Sequence, residues 1–169
     1  MRLQPSDYFE YYGLYVDKVP KGNVLSLLEE KHLETQELLA EIPEERADYR
    51  YASGKWSVKE IIGHLIDSER VFGYRALSFA RGDPAHLPSM EQDDWAAASN
   101  AALRPLADLA SEFGIVRRSH IALFAGFDDS MWKRRGTASG FEFTVRSFPY
   151  IILGHELHHL DVLRERYLP

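Results

Sequence analysis

The sequence predicts an all-α fold, a four-helix bundle with one long crossover connection. Four long segments carry apolar residues at helical spacing, and strand-like alternation is nearly absent. One connection between helices is too long for a tight hairpin, which indicates a crossover along the bundle. Because 169 residues is an ordinary length for one domain and no linker or repeat divides the chain, we expect residues 1–169 to form a single helical-bundle domain.

An aromatic-rich segment precedes the first long helix. The aromatic rings of this segment have three alternative roles, which the sequence does not separate: to line a substrate entrance, to form a dimer face or to pack against the bundle. The rings belong to Tyr8, Phe9, Tyr11, Tyr12 and Tyr15. The first helix then runs from about Asn23 to Ala40, and Pro43 marks its end.

The second helix has a well-defined start. Ser57 and Glu60 match the capping box, in which each side chain accepts a hydrogen bond from the other residue's backbone N–H. Trp56 and Ile61 flank this box at the spacing of a hydrophobic staple. The apolar pattern continues to Ala80, where a Gly and Pro pair predicts the end of the helix.

The remaining sequence supplies the crossover and two further helices. Residues 82–98 form the long connection, with a short helical piece around Trp95. A third helix runs from about Pro105 to Ala125. Residues 126–142 predict a loop with a small hairpin, and a fourth helix runs from about Thr144 to Arg166.

The composition excludes several kinds of site. The chain has no cysteine, which excludes disulfides, thiolate zinc sites, cysteine nucleophiles and iron–sulfur clusters. Any metal ligand must therefore be imidazole, carboxylate or water. No segment approaches the roughly 18 apolar residues of a membrane span, and the N-terminal sequence lacks the apolar core of a signal peptide. We expect a cytoplasmic protein that does not bind membranes.

The net charge of −6 argues against nucleic-acid binding, because the molecule as a whole repels phosphate backbones. The basic clusters at residues 133–135 and 117–118 are short and lack interleaved aromatic residues. A highly anionic partner is disfavoured for the same reason. The expected partner is a small-molecule substrate.

Three histidines occur together in the predicted fourth helix. His155 and His159 are four residues apart, so both imidazoles point to one face and form a chelating pair, with His158 as a flanking alternative. Ile152 and Val162 share that face, which indicates that the pair points into the bundle.

A stable metal site needs a third ligand, and His64 is the best candidate. It lies between Ile61 and Leu65 on the apolar face of the second helix, where an isolated imidazole needs a polar partner. The alternative is an ordinary core histidine bonded to a carbonyl or carboxylate group. His32, His86 and His120 are assigned to solvent or to ordinary polar contacts.

Three stretches carry a resemblance to a known family. GKWSVKEIIGHLIDSERVFGYRAL surrounds His64, YIILGHELHHLDVLRERYL contains His155 and His159, and RGTASGFEFTVRS lies between them. In this order they resemble the DinB-like, or YfiT-like, family of metal-dependent enzymes, which is unrelated to the DNA polymerase of similar name. The likeness covers nearly the whole chain.

The resemblance implies a four-helix bundle with a metal bound by His64, His155 and His159, most often zinc or nickel, with water completing the coordination. Characterised relatives include transferases that use low-molecular-weight thiols such as bacillithiol, and a mycothiol-dependent isomerase. It therefore implies a thiol-dependent S-transferase or a hydrolase with a metal-activated water, acting as a homodimer. Glu156, Asp67 and Glu69 either orient the ligands or are solvated helix-face carboxylates.

Two other functions compete with this interpretation. Residues 155–159 also match H-E-x-x-H, the zinc-protease motif whose glutamate acts as general base. The extended form of that motif requires glycine at Val162 and histidine at Glu165, and no convincing strand is present to bind an extended peptide. The second alternative is a stress-related dimeric bundle that binds metal without catalysing a reaction.

Overall fold

The computed structural model describes residues 3–168 and confirms the predicted four-helix bundle. Its helices and strands are α1 (Gly13–Val16), α2 (Val24–Glu41), α3 (Val58–Ala80), α4 (Gln92–Ala98), α5 (Leu106–Ala125), α6 (Asp129–Lys133), β1 (Arg135–Ala138), β2 (Phe141–Thr144) and α7 (Phe148–Val162). The bundle consists of α2, α3, α5 and α7, and both α5 and α7 pack against α2 and α3. Within the described residues, no helix is long and apolar enough to cross a membrane.

The connection between α3 and α5 is a true crossover. Paired contacts advance in the same direction along the two helices, from Glu69 with Arg117 to Gly73 with His120, so α3 and α5 run parallel. The chain must therefore return along the whole length of α3 before α5 begins. It does so through α4 and a turn at Ala101, which packs against Gly63 near the start of α3.

The predicted start of α3 is confirmed in detail. The Ser57 hydroxyl accepts a hydrogen bond from the Glu60 backbone N–H at 3.2 Å, and the Glu60 carboxylate accepts one from the Ser57 N–H at 2.7 Å. This reciprocal pair satisfies two backbone donors that a helix start otherwise leaves without partners. The first turn of α3 is thereby fixed one turn before His64.

The predicted fourth helix is too long at its N-terminal end. Thr144 is not helical, because it ends β2 and pairs with Arg135 of β1. The α-helix begins at Phe148, which places Pro149 in the first turn, where its missing N–H breaks no hydrogen bond. At the other end, the last turn, Leu163–Tyr167, is π-helical.

The predicted small hairpin is present as β1 and β2. Ser139 and Gly140 connect the strands, and both have positive φ angles, of 54° and 82°. A type I′ turn requires positive φ angles at both of its central residues, and its twist matches that of paired antiparallel strands. A methyl group at Gly136 would overlap the Phe79 ring of α3, so this glycine lets the hairpin lie directly on the bundle.

The core consists of two apolar clusters, one near each end of the bundle. Leu65, Phe113 and Leu160 belong to the first, and Phe79 and Phe148 belong to the second. The buried histidines and a group of buried charged residues belong to neither cluster.

Candidate metal centre

Three histidine nitrogens converge at one buried point between α3 and α7. The Nε2 atom of His155 lies 3.1 Å from that of His64 and 3.1 Å from that of His159. One ligand atom from each residue lies within 4.8 Å of the other two. The sequence predicted these three residues as the ligands of one metal ion, and the structure places them together.

A close approach of the N-terminal segment helps to define this point. A methyl group at Gly154 would overlap the backbone carbonyl of Tyr15, so the glycine lets α1 lie directly against α7. The Tyr15 ring consequently lies 5.1 Å from the His155 ring, edge to face. On the opposite side, the Trp56 ring lies 4.7 Å from the ring of His64.

Burial keeps the three imidazoles neutral. Loss of solvation lowers the pKa of His64 to about 4 and that of His159 to about 3, because it disfavours the charged ring. Burial also lowers the pKa of His155 well below its usual value. Neutral imidazoles are the form that binds metal ions, so the site presents free lone pairs at neutral pH.

Two open cavities reach the cluster from different sides. One has a volume of about 420 Å³ and is lined by His64, His155 and side chains from α1, the crossover and the hairpin. The other has a volume of about 520 Å³ and is lined by His158, His159 and Trp56. The three histidines therefore lie between two spaces that could each admit a small molecule.

A family model of the DinB superfamily matches residues 27–163, which is most of the chain. The chain belongs to the DinB superfamily. No curated protein sequence matches it significantly.

Two solved structures are similar to this DinB chain in fold. YfiT from Bacillus subtilis, described as "a probable metal-dependent hydrolase with an unusual four-helix bundle topology", has a TM-score of 0.68 and 16% identity over 98% of this chain and 93% of its own. A mycothiol-dependent maleylpyruvate isomerase has a TM-score of 0.68 and 12% identity over 86% of this chain. This DinB chain spans only 62% of the isomerase. At these identities the likeness shows the fold alone.

The carboxylates predicted beside the histidines have other partners in this DinB chain. Glu69 accepts two hydrogen bonds from the Arg117 guanidinium, at 2.8 and 2.9 Å. Glu156 accepts one from Arg117 at 2.7 Å and one from Thr35 at 2.6 Å. The predictions that they orient the ligands or lie solvated on a helix face are both wrong, because the two carboxylates are buried and both pair with Arg117.

This arrangement also changes two other assignments. Asp67 is half-buried and lies 3.8 Å from Arg70, not beside the histidines. Arg117, assigned from the sequence to a short basic cluster, is fully buried and belongs to the core. The remaining basic cluster, residues 133–135, is exposed.

The position of Glu156 argues against the zinc-protease alternative. In the H-E-x-x-H mechanism the glutamate must reach a water molecule at the metal. Glu156 instead points to Thr35 and Arg117 and is almost completely buried. The match to that motif is therefore a coincidence of helical spacing.

The other histidines lie outside the cluster. His158 is half-buried and contacts the Tyr15 ring at 5.5 Å, but it contributes no atom to the converging group. His86 is exposed, as predicted. His32 is buried, so its assignment to solvent is wrong, and its Nδ1 has no hydrogen-bond partner in residues 3–168. His120 is partly buried, with Nδ1 3.5 Å from Glu69.

Sequence reasoning missed several residues of the first cavity. Arg75, Ser89 and Ser139 line it beside Tyr11, Tyr12 and Tyr15, so three of the five N-terminal rings line this cavity. A signal for Arg75 was present, because it follows His64 by eleven residues and three helical turns bring both to one face. The two serines lie in connections, where spacing carries no such information.

Proposed function

We propose that this chain is a metal-dependent enzyme that binds one divalent ion through His64, His155 and His159. The observation that supports this most strongly is the convergence of three neutral ring nitrogens, from the buried His64 and His155 and the half-buried His159. Nitrogens bound to one tetrahedral zinc ion at about 2.0–2.1 Å lie about 3.3 Å apart. The observed separations of 3.1 Å are close to that spacing, so the residues fit a metal.

Three neutral ligands leave the ion its full charge and at least one open position, where it would lower the pKa of a bound water or thiol. Two side chains lie next to the histidines. Burial raises the pKa of Tyr15, whose ring lies 5.1 Å from that of His155, so its hydroxyl keeps its proton at neutral pH. The Ser68 hydroxyl lies 3.4 Å from both ring nitrogens of His64.

Thiol-dependent group transfer is the reaction that this arrangement supports best. Two substrates must meet in such a reaction, and two cavities reach the histidines, one beside His155 and one beside His159. The thiol would give up its proton to water, its sulfur would bond to an electrophilic carbon, and the leaving group would depart with the electron pair of the broken bond. The similar fold of a mycothiol-dependent isomerase is consistent with this proposal.

Hydrolysis is the second candidate. Water is the nucleophile in that case, and one organic substrate in the 420 Å³ cavity suffices. The description of YfiT as a probable metal-dependent hydrolase supports this candidate.

The test compares zinc-loaded and nickel-loaded protein with the His64→Ala variant. Each is incubated with glutathione, cysteine or coenzyme A and the electrophile 1-chloro-2,4-dinitrobenzene, and separately with p-nitrophenyl acetate. We expect metal-dependent thiol conjugation that the variant loses and that His86→Ala, an exposed control, retains. Ester hydrolysis without thiol conjugation would favour the hydrolase.

A loaded protein that turns over neither reagent would favour the non-catalytic metal-binding bundle. We further propose that the protein acts on a small-molecule substrate and is a homodimer. Light scattering tests the homodimer through the mass in solution.

A further inference from the structure

The cavity of about 420 Å³ has a charged group at the end opposite to His64. Its floor is one face of α3, on which His64, Ser68, Phe72 and Arg75 follow one another. His64 and Arg75 are eleven residues apart, which is about 16 Å along the helix axis. A molecule in this cavity can therefore contact the metal centre with one end and Arg75 with the other.

Arg75 differs from the other buried basic side chains. Among residues 3–168, Lys59, Arg75 and Arg117 are the buried lysines and arginines. Lys59 pairs with two carboxylates, at 2.7 and 3.2 Å. Arg117 also pairs with two, at 2.8 and 2.7 Å. Arg75 is only 3% exposed, and no carboxylate of the described chain pairs with it.

Neutral groups hold the Arg75 side chain in place. One terminal nitrogen donates to the Pro88 carbonyl at 2.7 Å and to the Ser139 hydroxyl at 3.1 Å. The guanidinium also interacts with the Tyr12 hydroxyl. Tyr12 and Ser139 both line the cavity, so the guanidinium is held at the cavity wall. Ser139 lies in the left-handed conformation of the hairpin turn.

A buried guanidinium without a counter-charge is costly, and an anion in the cavity would offset this cost. We infer that the cavity binds a small molecule with a carboxylate group, which Arg75 recognises while the other end of the molecule lies at the metal centre. The part of this inference that concerns the metal rests on the proposed function. The part that concerns Arg75 does not.

A single carboxylate fits the cavity better than a more highly charged group. Arg75 is the one arginine or lysine among the cavity residues, and Glu91 lies at the rim with the opposite charge. The chain carries a net charge of −6, which disfavours a polyanion. The nitrogen that donates to Pro88 and Ser139 has used both of its hydrogens, so the other N–H groups of the guanidinium are the donors for a charge-assisted hydrogen bond to a carboxylate oxygen.

The test uses cobalt-substituted protein, whose absorption spectrum reports thiolate binding. The probes are ω-sulfanyl carboxylic acids of increasing chain length, each compared with the ω-sulfanyl alcohol of the same length. The proteins are the parent, Arg75→Met, Arg75→Lys and Arg70→Met. Arg70 is a matched control, because it lies on the same helix but is exposed and pairs with Glu112.

We expect the parent to bind one length of acid about tenfold or more tightly than the matching alcohol. Arg75→Met should abolish this preference without weakening alcohol binding, Arg75→Lys should keep part of it, and Arg70→Met should retain it. Equal binding of acid and alcohol by the parent would overturn the inference, as would a preference that survives in Arg75→Met. If Arg75→Met does not fold, the acid and alcohol comparison in the parent and Arg75→Lys decides.

A second measurement separates this inference from the proposed function. Metal-free protein is examined by saturation-transfer NMR with hexanoate and hexanamide. Stronger binding of hexanoate that depends on Arg75 supports the inference even if no cobalt spectrum appears with any probe, in which case only the metal proposal fails. Equal binding of the two compounds would contradict the role of Arg75.

Discussion

At the scale of single residues, the sequence predicted side chains that share a helix better than side chains that meet across helices. His155 and His159 could be paired because a spacing of four residues defines one helical face. The partners of Glu69 and Glu156 could not be predicted, since Arg117 lies on another helix and nothing local indicates how deeply it is buried.

One glycine beside the metal centre provides a test at this scale. Gly154→Ala should lower the free energy of unfolding by about 1–3 kcal/mol, because the added methyl group forces α1 away from α7. The matched control is Gly13→Ala, where a methyl group meets no atom within 4 Å and should be neutral or slightly stabilising. Urea denaturation of both variants measures the difference, and equal effects would show that the contact with Tyr15 is not tight.

At the scale of elements, helix existence was predictable, and the ends of α2, α3 and α5 were predictable to within about a residue. The capping box of Ser57 located the start of α3 to the residue. The start of α7 has no such signal, and the strand pairing of Thr144 overrode the helical pattern. The hairpin was predictable in outline, because glycine in its sequence indicated a turn.

One polar network joins all four bundle helices. Thr35 of α2, Glu69 of α3, Arg117 of α5 and Glu156 of α7 form a continuous set of buried hydrogen bonds. Burial alone raises the pKa of Glu69, but the charge and hydrogen bonds of Arg117 outweigh this and lower the pKa below its usual value. Ionised Glu69 therefore stabilises the fold at neutral pH, and this contribution disappears as the pH falls through the lowered pKa.

Glu69→Gln should accordingly cost about 3 kcal/mol at neutral pH, because it leaves Arg117 with one carboxylate. The difference from the parent should shrink as the pH falls below about 4.5, where the unfolded carboxylate begins to bind protons. Glu112→Gln is the control, since its more exposed ion pairs should contribute about 0–1 kcal/mol. Denaturant unfolding at several pH values measures both, and a cost for Glu69→Gln that does not change with pH would contradict the account.

At the scale of the whole molecule, the bundle brings distant segments of one chain to a single point. His64 and His155 are separated by 91 positions in sequence, yet their nitrogens lie 3.1 Å apart. The parallel course of α3 and α5 places the crossover and the hairpin around the same cavity. Single-domain folding, the homodimer and cytoplasmic location stay predictions.

A bound ion should link α3 and α7 and so raise the stability of the whole molecule. An ion present at 100 times its Kd stabilises a folded protein by about 2.7 kcal/mol. For a chain of this length, removal by a chelator should then lower Tm by about 5–10 °C. Calorimetry with and without EDTA measures this shift, and His159→Ala should show little or none. If neither EDTA nor added zinc changes the Tm of the parent, the result would argue against a metal site shared by the two helices.

Elemental mass spectrometry on untagged protein tests the metal centre most directly. The parent is measured beside His64→Ala and beside His86→Ala, whose histidine is exposed and outside the cluster. We expect close to one equivalent of zinc or nickel in the parent and in His86→Ala, and a loss of most of it in His64→Ala. A parent that is purified empty and cannot be reloaded with either metal would contradict the three-histidine centre, and these residues would then be core histidines of a binding or structural bundle.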